Sequence, residues 1–409
     1  MHLEFADNCR GMEKKNYFCS AIASGFCKKM NREKVTHSEI AIIGAGASGL
    51  FAAALLSPVP SLRLTLFEKA EQPAAKLRAS GGGRANLMNT DIRPDHYNHP
   101  SFIRNLLRHT SRKEVQDAFH SLGLRLTEDE EHRVYPATLF SQTVVQVLMN
   151  HIHPQTQWHY HEPVEKITPH HGQWLINGGK QPFNQVILAT GSPAGMNEKN
   201  RLHYNSYLHS LKIHTTPLAP SLSGFRLEDY PKFLFGCRAR AEVTLIQAQN
   251  IVFKEQGEVT FKEDGISGIV VLNCCAHYNR LADKQNCTLH LNFLYDDDSW
   301  DIQKHLQQHG GLEGVLHPKL CRLFAQKPFN PRDLCFHIAA PYGLEHAQVC
   351  SGGIQLDEIT EQFELKRFPG IYAAGEMLDV DGVCGGYNLF FAFASALTIV
   401  KKLISEIPS

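Results

Sequence analysis

Ile40-Ala-Ile-Ile-Gly-Ala-Gly-Ala-Ser-Gly-Leu-Phe-Ala-Ala-Ala-Leu55 decides how the rest of this chain is read. An apolar run short enough for a buried strand meets Gly44, Gly46 and Gly49 in a G-x-G-x-x-G spacing, and an Ala/Leu-rich helical pattern follows. Each glycine has its own physical reason: Gly44 permits the turn, Gly46 lets a pyrophosphate approach the backbone, and Gly49 lets helix and strand pack closely. With Ala47 and Ser48 they form the start of a helix, whose free N–H groups and positive dipole end suit a pyrophosphate. A second strand pattern, Leu62-Arg-Leu-Thr-Leu-Phe67, ends at Glu68, nineteen residues after Gly49. A carboxylate there is placed for ribose hydroxyls, and an acid rather than an arginine favours NAD or FAD over NADP.

The length of 409 residues exceeds what one core accommodates, so two or three domains are expected. Forty-one Lys and Arg balance 41 Asp and Glu, which leaves no net field to attract nucleic acid or an anionic membrane. The 23 histidines are scattered, without H-E-x-x-H or Cys/His ligand spacing, so no metal is expected. Eleven cysteines without C-x-x-C, and with no secretory leader, point to free thiols in a reducing cytoplasm. Adjacent Cys274 and Cys275 read as small buried apolar residues. The longest mainly apolar run, Leu389 to Val400, falls short of the ~18 residues of a membrane helix, so no membrane partner is expected.

Residues 1–36 carry mixed charge without sustained period and read as a poorly ordered extension, with Met30 an alternative start. After Glu68 and Lys69 comes Lys76-Leu-Arg-Ala-Ser-Gly-Gly-Gly-Arg-Ala-Asn86. Ser80, Gly81, Gly82 and Gly83 cannot form a helix or strand interior, but they can turn backbone N–H groups toward an anion, with Arg84 as a charged partner and Asn86 beside it. Helical stretches are expected at Ser101–His109 and Ser141–Met149, an extended piece at Arg133–Pro136, and a strand pair at Pro163–Ile167 and Gln173–Ile176. Gln185-Val-Ile-Leu-Ala-Thr-Gly191 reads as a buried strand of a parallel sheet that passes a cofactor at Ala189, Thr190 and Gly191. Residues 205 to 295 are β-rich, with candidate strands Cys237–Gln247, Asn250–Phe261 and Cys287–Tyr295, and Asp301 to Gln326 is more helical. No second glycine fingerprint appears, so this middle region reads as an insertion facing substrate.

The nucleotide-binding pattern returns with a buried strand ending at Gly375-Glu376, a loop to Asn388, and an apolar helix over Leu389 to Ile404 that closes on Lys401 and Lys402. At its opposite end Gly385-Gly386 offers free N–H groups to an electron-rich partner. If that partner is the pyrimidine edge of an isoalloxazine, the helix stabilises negative charge on the reduced ring.

Four blocks together resemble a family of bacterial flavoproteins, the NAD(P)/FAD-dependent or aminoacetone-oxidase-like oxidoreductases, which includes bile-acid-inducible flavin reductases. They are Gly44-Ala-Gly-Ala-Ser-Gly49 with Glu68-Lys69, Ser80-Gly-Gly-Gly-Arg-Ala-Asn86, Gly265-Ile-Ser-Gly268, and Gly375-Glu-Met-Leu-Asp-Val-Asp-Gly-Val-Cys-Gly-Gly-Tyr-Asn388. The resemblance runs from about residue 38 to the end and implies non-covalent FAD. It places Gly44, Gly46, Gly49 and Arg84 around the pyrophosphate, Glu68 on the ribose and Val164 beside the adenine. Ala189, Thr190 and Gly191 pass the cofactor, Glu376 or Asp379 meets the ribityl chain, and Gly386, Tyr387 and Asn388 lie at the ring; Lys69, Lys76 and Ser80 are further expected contacts. Ala85 stands where the family usually has Cys, and Ser192-Pro-Ala-Gly-Met-Asn197 replaces its usual glycine-rich text. Both departures fall on the substrate side.

The expected fold class is α/β: a discontinuous Rossmann-like FAD domain (37–195 and 346–409), an inserted β-barrel-like domain (196–295 and 330–345) and a small helical domain (296–329). The expected function is an FAD oxidoreductase that transfers hydride through flavin N5, with NAD(P)H as a transient co-substrate and a small molecule as the partner that is reduced at an activated double bond. A small-amine oxidase that makes peroxide and a flavin-bound redox sensor are the alternatives. No single acid or base stands out as catalytic.

Overall fold

The computed structural model describes residues 37–196, 204–297, 299–326 and 330–407. The expected N-terminal extension, the Met30 start and Asn197 lie outside the described residues. The nucleotide-binding part opens with β1 (Ser38–Ile43), α1 (Ala47–Leu56), β2 (Leu62–Glu68) and α2 (Ala75–Gly83), and continues to β3 (Gln157–Tyr160) and β4 (Gln185–Leu188). A strand β5 (Thr215–Ser221) leads out of it. Then follow β6 (Phe225–Leu227), β7 (Arg238–Gln247), β8 (Asn250–Phe261), β9 (Gly265–Ser267), α3 (Ile269–Asn279), β10 (Cys287–Asn292), α4 (Ile302–His309), α5 (Pro318–Gln326) and β11 (Leu334–Pro341). The chain returns through β12 (Val349–Ile354) to β13 (Ile371–Ala373) and α6 (Tyr387–Ser405).

Five strands form one parallel sheet in the order β13-β4-β1-β2-β3. Ile40 to Ile43 on β1 are buried, as a central parallel strand covered on both faces must be. Alanine-rich α1 lets α6 approach closely, and Phe51, Phe119 and Phe393 meet with ring centroids 4.8 to 5.1 Å apart. Each fully buried phenylalanine contributes roughly 1.5–3 kcal/mol of apolar transfer, so this trio anchors the helix layer. At nineteen residues α6 is longer than the expected run and reaches membrane-spanning length, yet Phe390, Phe391, Phe393, Ala394 and Ile399 are buried in this core.

The second part is a closed antiparallel barrel, β6-β9-β8-β7-β10-β11. It is joined to the first by one antiparallel ribbon, β5 with β12. Tyr207, Leu208, Leu211 and Ile213, which the sequence reading assigns to the insertion, pack in the core of the nucleotide-binding part, so the crossing falls at the ribbon rather than at 196. Helix α5 buries Leu320 and Leu323 in the barrel core, in place of the separate small domain expected there.

Local differences from the sequence reading have physical causes. The strand expected at Pro163–Ile167 begins only at Ile167; ahead of it the Glu162 N–H is still bonded to the Glu68 carbonyl at the end of β2. Strand β3 has no sequence signature, because Gln157-Trp-His-Tyr160 is a half-exposed edge without alternation. Helix α3 is hidden inside a β-rich region: Val270 to Ala276 are all buried, so no polar face marks its period.

Candidate functional site

The β1–α1 turn is tight on one side and open on the other. Gly44 has φ +97°, and a Cβ there would meet the Ala189 carbonyl oxygen at 2.5 Å; a Cβ on Gly49 would overlap the Gly44 carbonyl oxygen. Both glycines are therefore required by the protein itself. Gly46 is different: its φ is −82°, and a Cβ there would meet nothing nearer than the Ala189 oxygen at 3.9 Å. Helix α1 carries no side-chain cap and no acid in its first turn, which leaves the N–H groups after Gly46 without a capping side chain. An open approach to uncapped N–H groups fits a bound pyrophosphate.

At the end of β2 the Glu68 carboxylate accepts the Ala45 and Ala70 N–H groups, each at 2.9 Å, which binds it to the fingerprint turn. Val164 is buried in the core of the nucleotide-binding part, two residues after Glu162, whose N–H bonds the Glu68 carbonyl at the end of β2 at 3.1 Å. Lys69 lies 3.5 Å from the Met196 sulfur, and burial lowers the pKa of its ammonium. Thr190 donates to the Asn205 side chain at 2.7 Å, and Gly191 adopts φ +68°.

The stretch 75–86 is part helix and part turn. Lys76 to Ala79 are helical, while Ser80 leaves helical geometry and Gly81 and Gly82 take φ +56° and +64°. The helical start delivers Lys76 to Glu376 at 2.7 Å and to Ser192 at 3.3 Å. Ser192 donates to Glu376, and the Cys350 N–H reaches the same carboxylate at 3.2 Å. A Cβ on Gly375 would overlap Ser48 Oγ, so the Gly375-Glu376 turn crosses the N-terminus of α1. Lys76, Ser192, Cys350 and Glu376 thus form one polar cluster beside the dinucleotide turn. Ser192 enters the sequence reading only as a departure on the substrate side, whereas here it joins Lys76 and Glu376, and Cys350, a lone cysteine, carries no motif.

Arg84 has a different set of neighbours. Its guanidinium stands 5.2 Å from the Tyr135 ring centre and bonds the Gly81 carbonyl at 3.4 Å. Asn86, oriented with its amide nitrogen on the Met88 carbonyl at 3.0 Å, accepts the Gly386 N–H at 3.1 Å. Asn89 holds the Gly385 carbonyl at 3.1 Å. Gly386, at φ +98°, has no room for a Cβ, which would meet the Met88 carbonyl at 2.5 Å and the Asn86 side-chain amide at 2.6 Å. The two glycine-rich segments are therefore locked together at the start of α6, and the Gly386 N–H, expected to be free, is taken by Asn86.

Residues 379–386 form a loop held both by the start of α6 and by side chains outside it. Asn388 accepts the Gly382 N–H at 2.8 Å and donates to its carbonyl at 2.9 Å. Burial raises the Asp379 pKa, but hydrogen bonds from His99 and from Thr216, the latter at 2.6 Å, outweigh it and hold the carboxyl below its ordinary value. Asp379 thereby fastens the loop to the β5–β12 ribbon, whereas Glu376 stays with Lys76. Asp381 is 1% exposed; burial pushes its pKa up to about 6 although Ser221 donates to it at 2.8 Å. Its Oδ1, Arg280 Nε and His96 Nδ1 are buried without partners among the described residues. Tyr387 packs on His96 with ring centroids 4.4 Å apart, and burial pushes its phenol to about 12. Helix α6, like α1, has no side-chain cap and no acid in its first turn. Cys274 and Cys275 are buried free thiols with pKa values raised by burial, as expected of packing residues.

Comparison with known proteins agrees with this geometry. Residues 38–402 match the family described as HI0933-like protein Rossmann domain. The chain is 28% identical over 397 residues to the 3-dehydro-bile acid delta(4,6)-reductase of Clostridium scindens, which covers 88% of this chain and 97% of that protein. It is 24% identical over 400 residues to the ribosomal RNA dihydrouridine synthase of Escherichia coli, covering 89% and 97%. Among solved structures, the open conformation of a flavocytochrome c3 fumarate reductase aligns over 89% of this chain and 77% of that one, at TM-score 0.42 and 13% identity.

Proposed function

The chain belongs to the HI0933-like Rossmann-domain family and is an FAD-dependent oxidoreductase, and on that premise we propose that it uses NAD(P)H to reduce an activated carbon–carbon double bond in a small organic molecule. FAD, when bound, supplies hydride transfer at N5. The protein supplies the setting. The open turn at Gly46 and the uncapped N-terminus of α1 hold the pyrophosphate, with Glu68 on the ribose. Lys76, Ser192 and Glu376 position the ribityl side. The uncapped start of α6, steadied by Asn86 and Asn89, meets the electron-rich end of the ring.

The observation that carries the reductive reading is the uncapped start of α6 held against the glycine segment, which favours negative charge at that end of the ring. The names of two relatives support it. One denotes reduction of a bile acid and the other formation of dihydrouridine, both additions of hydrogen to a double bond beside a carbonyl. The formal net charge of +0 gives no general attraction for a phosphate backbone and supports a small substrate rather than an RNA.

The test is anaerobic addition of NADH and then NADPH to the FAD-loaded protein, followed by an enone. Bleaching by one nucleotide and recovery with the enone is the expected result. A spectrum that stays oxidised with both nucleotides, with peroxide formed from a primary amine, would establish the oxidase reading instead.

A further inference from the structure

The barrel brings one carboxylate to the loop that precedes α6. Glu255 lies on the more buried face of β8, the face of Phe253 and Val259, while Lys254 on the outer face pairs with Glu242 at 2.9 Å. Both Glu255 oxygens are within 3.2 Å of Asn273 Nδ2 on α3. The oxygen of the same amide accepts the Cys384 N–H at 2.8 Å. One buried side chain thus sets the barrel carboxylate in register with the Cys384-Gly-Gly-Tyr387 segment. Glu255 is half-buried and reachable, whereas Asn273 is 7% exposed.

Reducing a double bond needs a proton as well as a hydride, and the carboxylates around the site differ in their freedom to give one. Asp379 is bound by His99 and Thr216, and Glu376 by Lys76 and Ser192. Glu68 holds two backbone N–H groups, and Asp381 is enclosed. Among the described residues Glu255 has one hydrogen-bond partner, the Asn273 amide, and keeps open lone pairs. Burial raises its pKa above the ordinary glutamate value, against a smaller lowering by Asn273. The groups facing it are Cys274 from α3, Cys384 from the loop and Tyr387 from α6. Burial raises all three, Cys384 and Tyr387 to about 12, so each is neutral near pH 7 and holds its proton too firmly to match Glu255 as an acid. Asp91 and Arg93, opposite in charge and paired with each other at 3.0 Å, also act on Tyr387.

Resting on the double-bond reading above, we propose that Glu255 is the catalytic acid, positioned by Asn273. In the step assigned to it, a hydride whose two electrons come from NAD(P)H bonds to the carbon β to the substrate carbonyl, and the C=C π pair moves to the α carbon. The Glu255 carboxyl O–H breaks, its proton bonds to that α carbon, and the carboxylate left behind regains a proton from water.

The test uses FAD-loaded wild type and Glu255→Gln, reduced anaerobically with NAD(P)H and then mixed in stopped flow with cyclohexenone or a steroid 4,6-dienone. Glu255→Gln should slow reoxidation by the enone by about 10²- to 10⁴-fold, as for loss of a general acid. Reduction by the nucleotide and reoxidation by dioxygen should be unchanged. The wild-type enone rate should fall as pH rises through the Glu255 pKa, and the variant rate should not. Carboxyl ¹³C NMR, wild type minus variant, should show one glutamate titrating above the ordinary value. Enone reoxidation as fast in Glu255→Gln as in wild type, equal slowing with dioxygen, loss of FAD binding, or loss of the pH-dependent step in Tyr387→Phe but not in Glu255→Gln would each overturn the assignment. A wild type that nucleotides reduce but no enone reoxidises would overturn the double-bond reading, and the role of Glu255 with it.

Discussion

Gly46 and Gly49 sit three residues apart in one motif, and the structure gives them opposite reasons to be glycine. A methyl group on Gly46 has 3.9 Å of clearance and an ordinary φ, so Gly46→Ala should leave the apo fold intact. Its cost there is the poorer alanine cap, about 1 kcal/mol or less, a melting shift of roughly 2–4 °C in a domain of this size. The same methyl would stand between the pyrophosphate and the N–H groups at the start of α1. Losing two charge-assisted hydrogen bonds there removes about 3 kcal/mol or more, so FAD should bind roughly 100-fold more weakly. In Gly49→Ala the methyl overlaps the Gly44 carbonyl, β1 and α1 must separate, and the apo protein itself should lose about 1–3 kcal/mol or more. Fluorescence titration of apo protein with FAD, paired with circular-dichroism melts without FAD, separates the two effects. An unchanged FAD affinity in Gly46→Ala, or an apo melt that falls as far as that of Gly49→Ala, would refute the reasoning.

Arg84→Ala should weaken FAD binding by about 1–3 kcal/mol if its guanidinium leaves Tyr135 for the pyrophosphate, as loss of a charged hydrogen bond requires; isothermal titration with an unchanged constant would show that the glycine segment faces elsewhere. Gly386→Ala should destabilise the loop and abolish FAD retention, because the new methyl collides with the Met88 carbonyl and Asn86 at φ +98°; a variant purified with a full flavin complement would contradict this. Asp381, pushed from 3.8 to about 6, keeps its proton in the folded state after the unfolded chain has released it, so its contribution to stability is lost as pH rises from about 4 to 6. Asp381→Asn should therefore gain up to about 3 kcal/mol over wild type at pH 7 and little at pH 4; urea unfolding with the same difference at both pH values would sink the argument.

Much of the site was legible because its determinants are local. A strand, three glycines and a helix within sixteen residues, with an acid one strand later, satisfy their own geometry wherever the chain is placed. The glycine pairs at Gly81-Gly82 and Gly385-Gly386 were equally visible, since left-handed backbone leaves a mark in composition. What joins these pieces was not visible. Asn86 against Gly386, Asn89 against Gly385, and Ser192 and Cys350 on Glu376 are single polar residues that acquire a role only when segments far apart in the chain meet. Asn273 lies on a helix whose Val270 to Ala276 are all buried, so no polar face announces it, yet it links the barrel to the loop before α6.

The sequence by itself determined the glycine turn after β1, the apolar segments of β1, β2, β4 and β13, and the apolar helix that closes the chain, because strand and helix periods and glycine backbone freedom act over a few residues. Only the tertiary structure decided that the crossing to the barrel is the β5–β12 ribbon, that Asp379 serves that ribbon while Glu376 serves the cluster at α1, and that Glu255 faces the loop before α6. Those outcomes depend on which polar groups lose water together when two domains close on each other, and a buried polar atom is satisfied by whatever partner the fold presents, not by its neighbours in sequence.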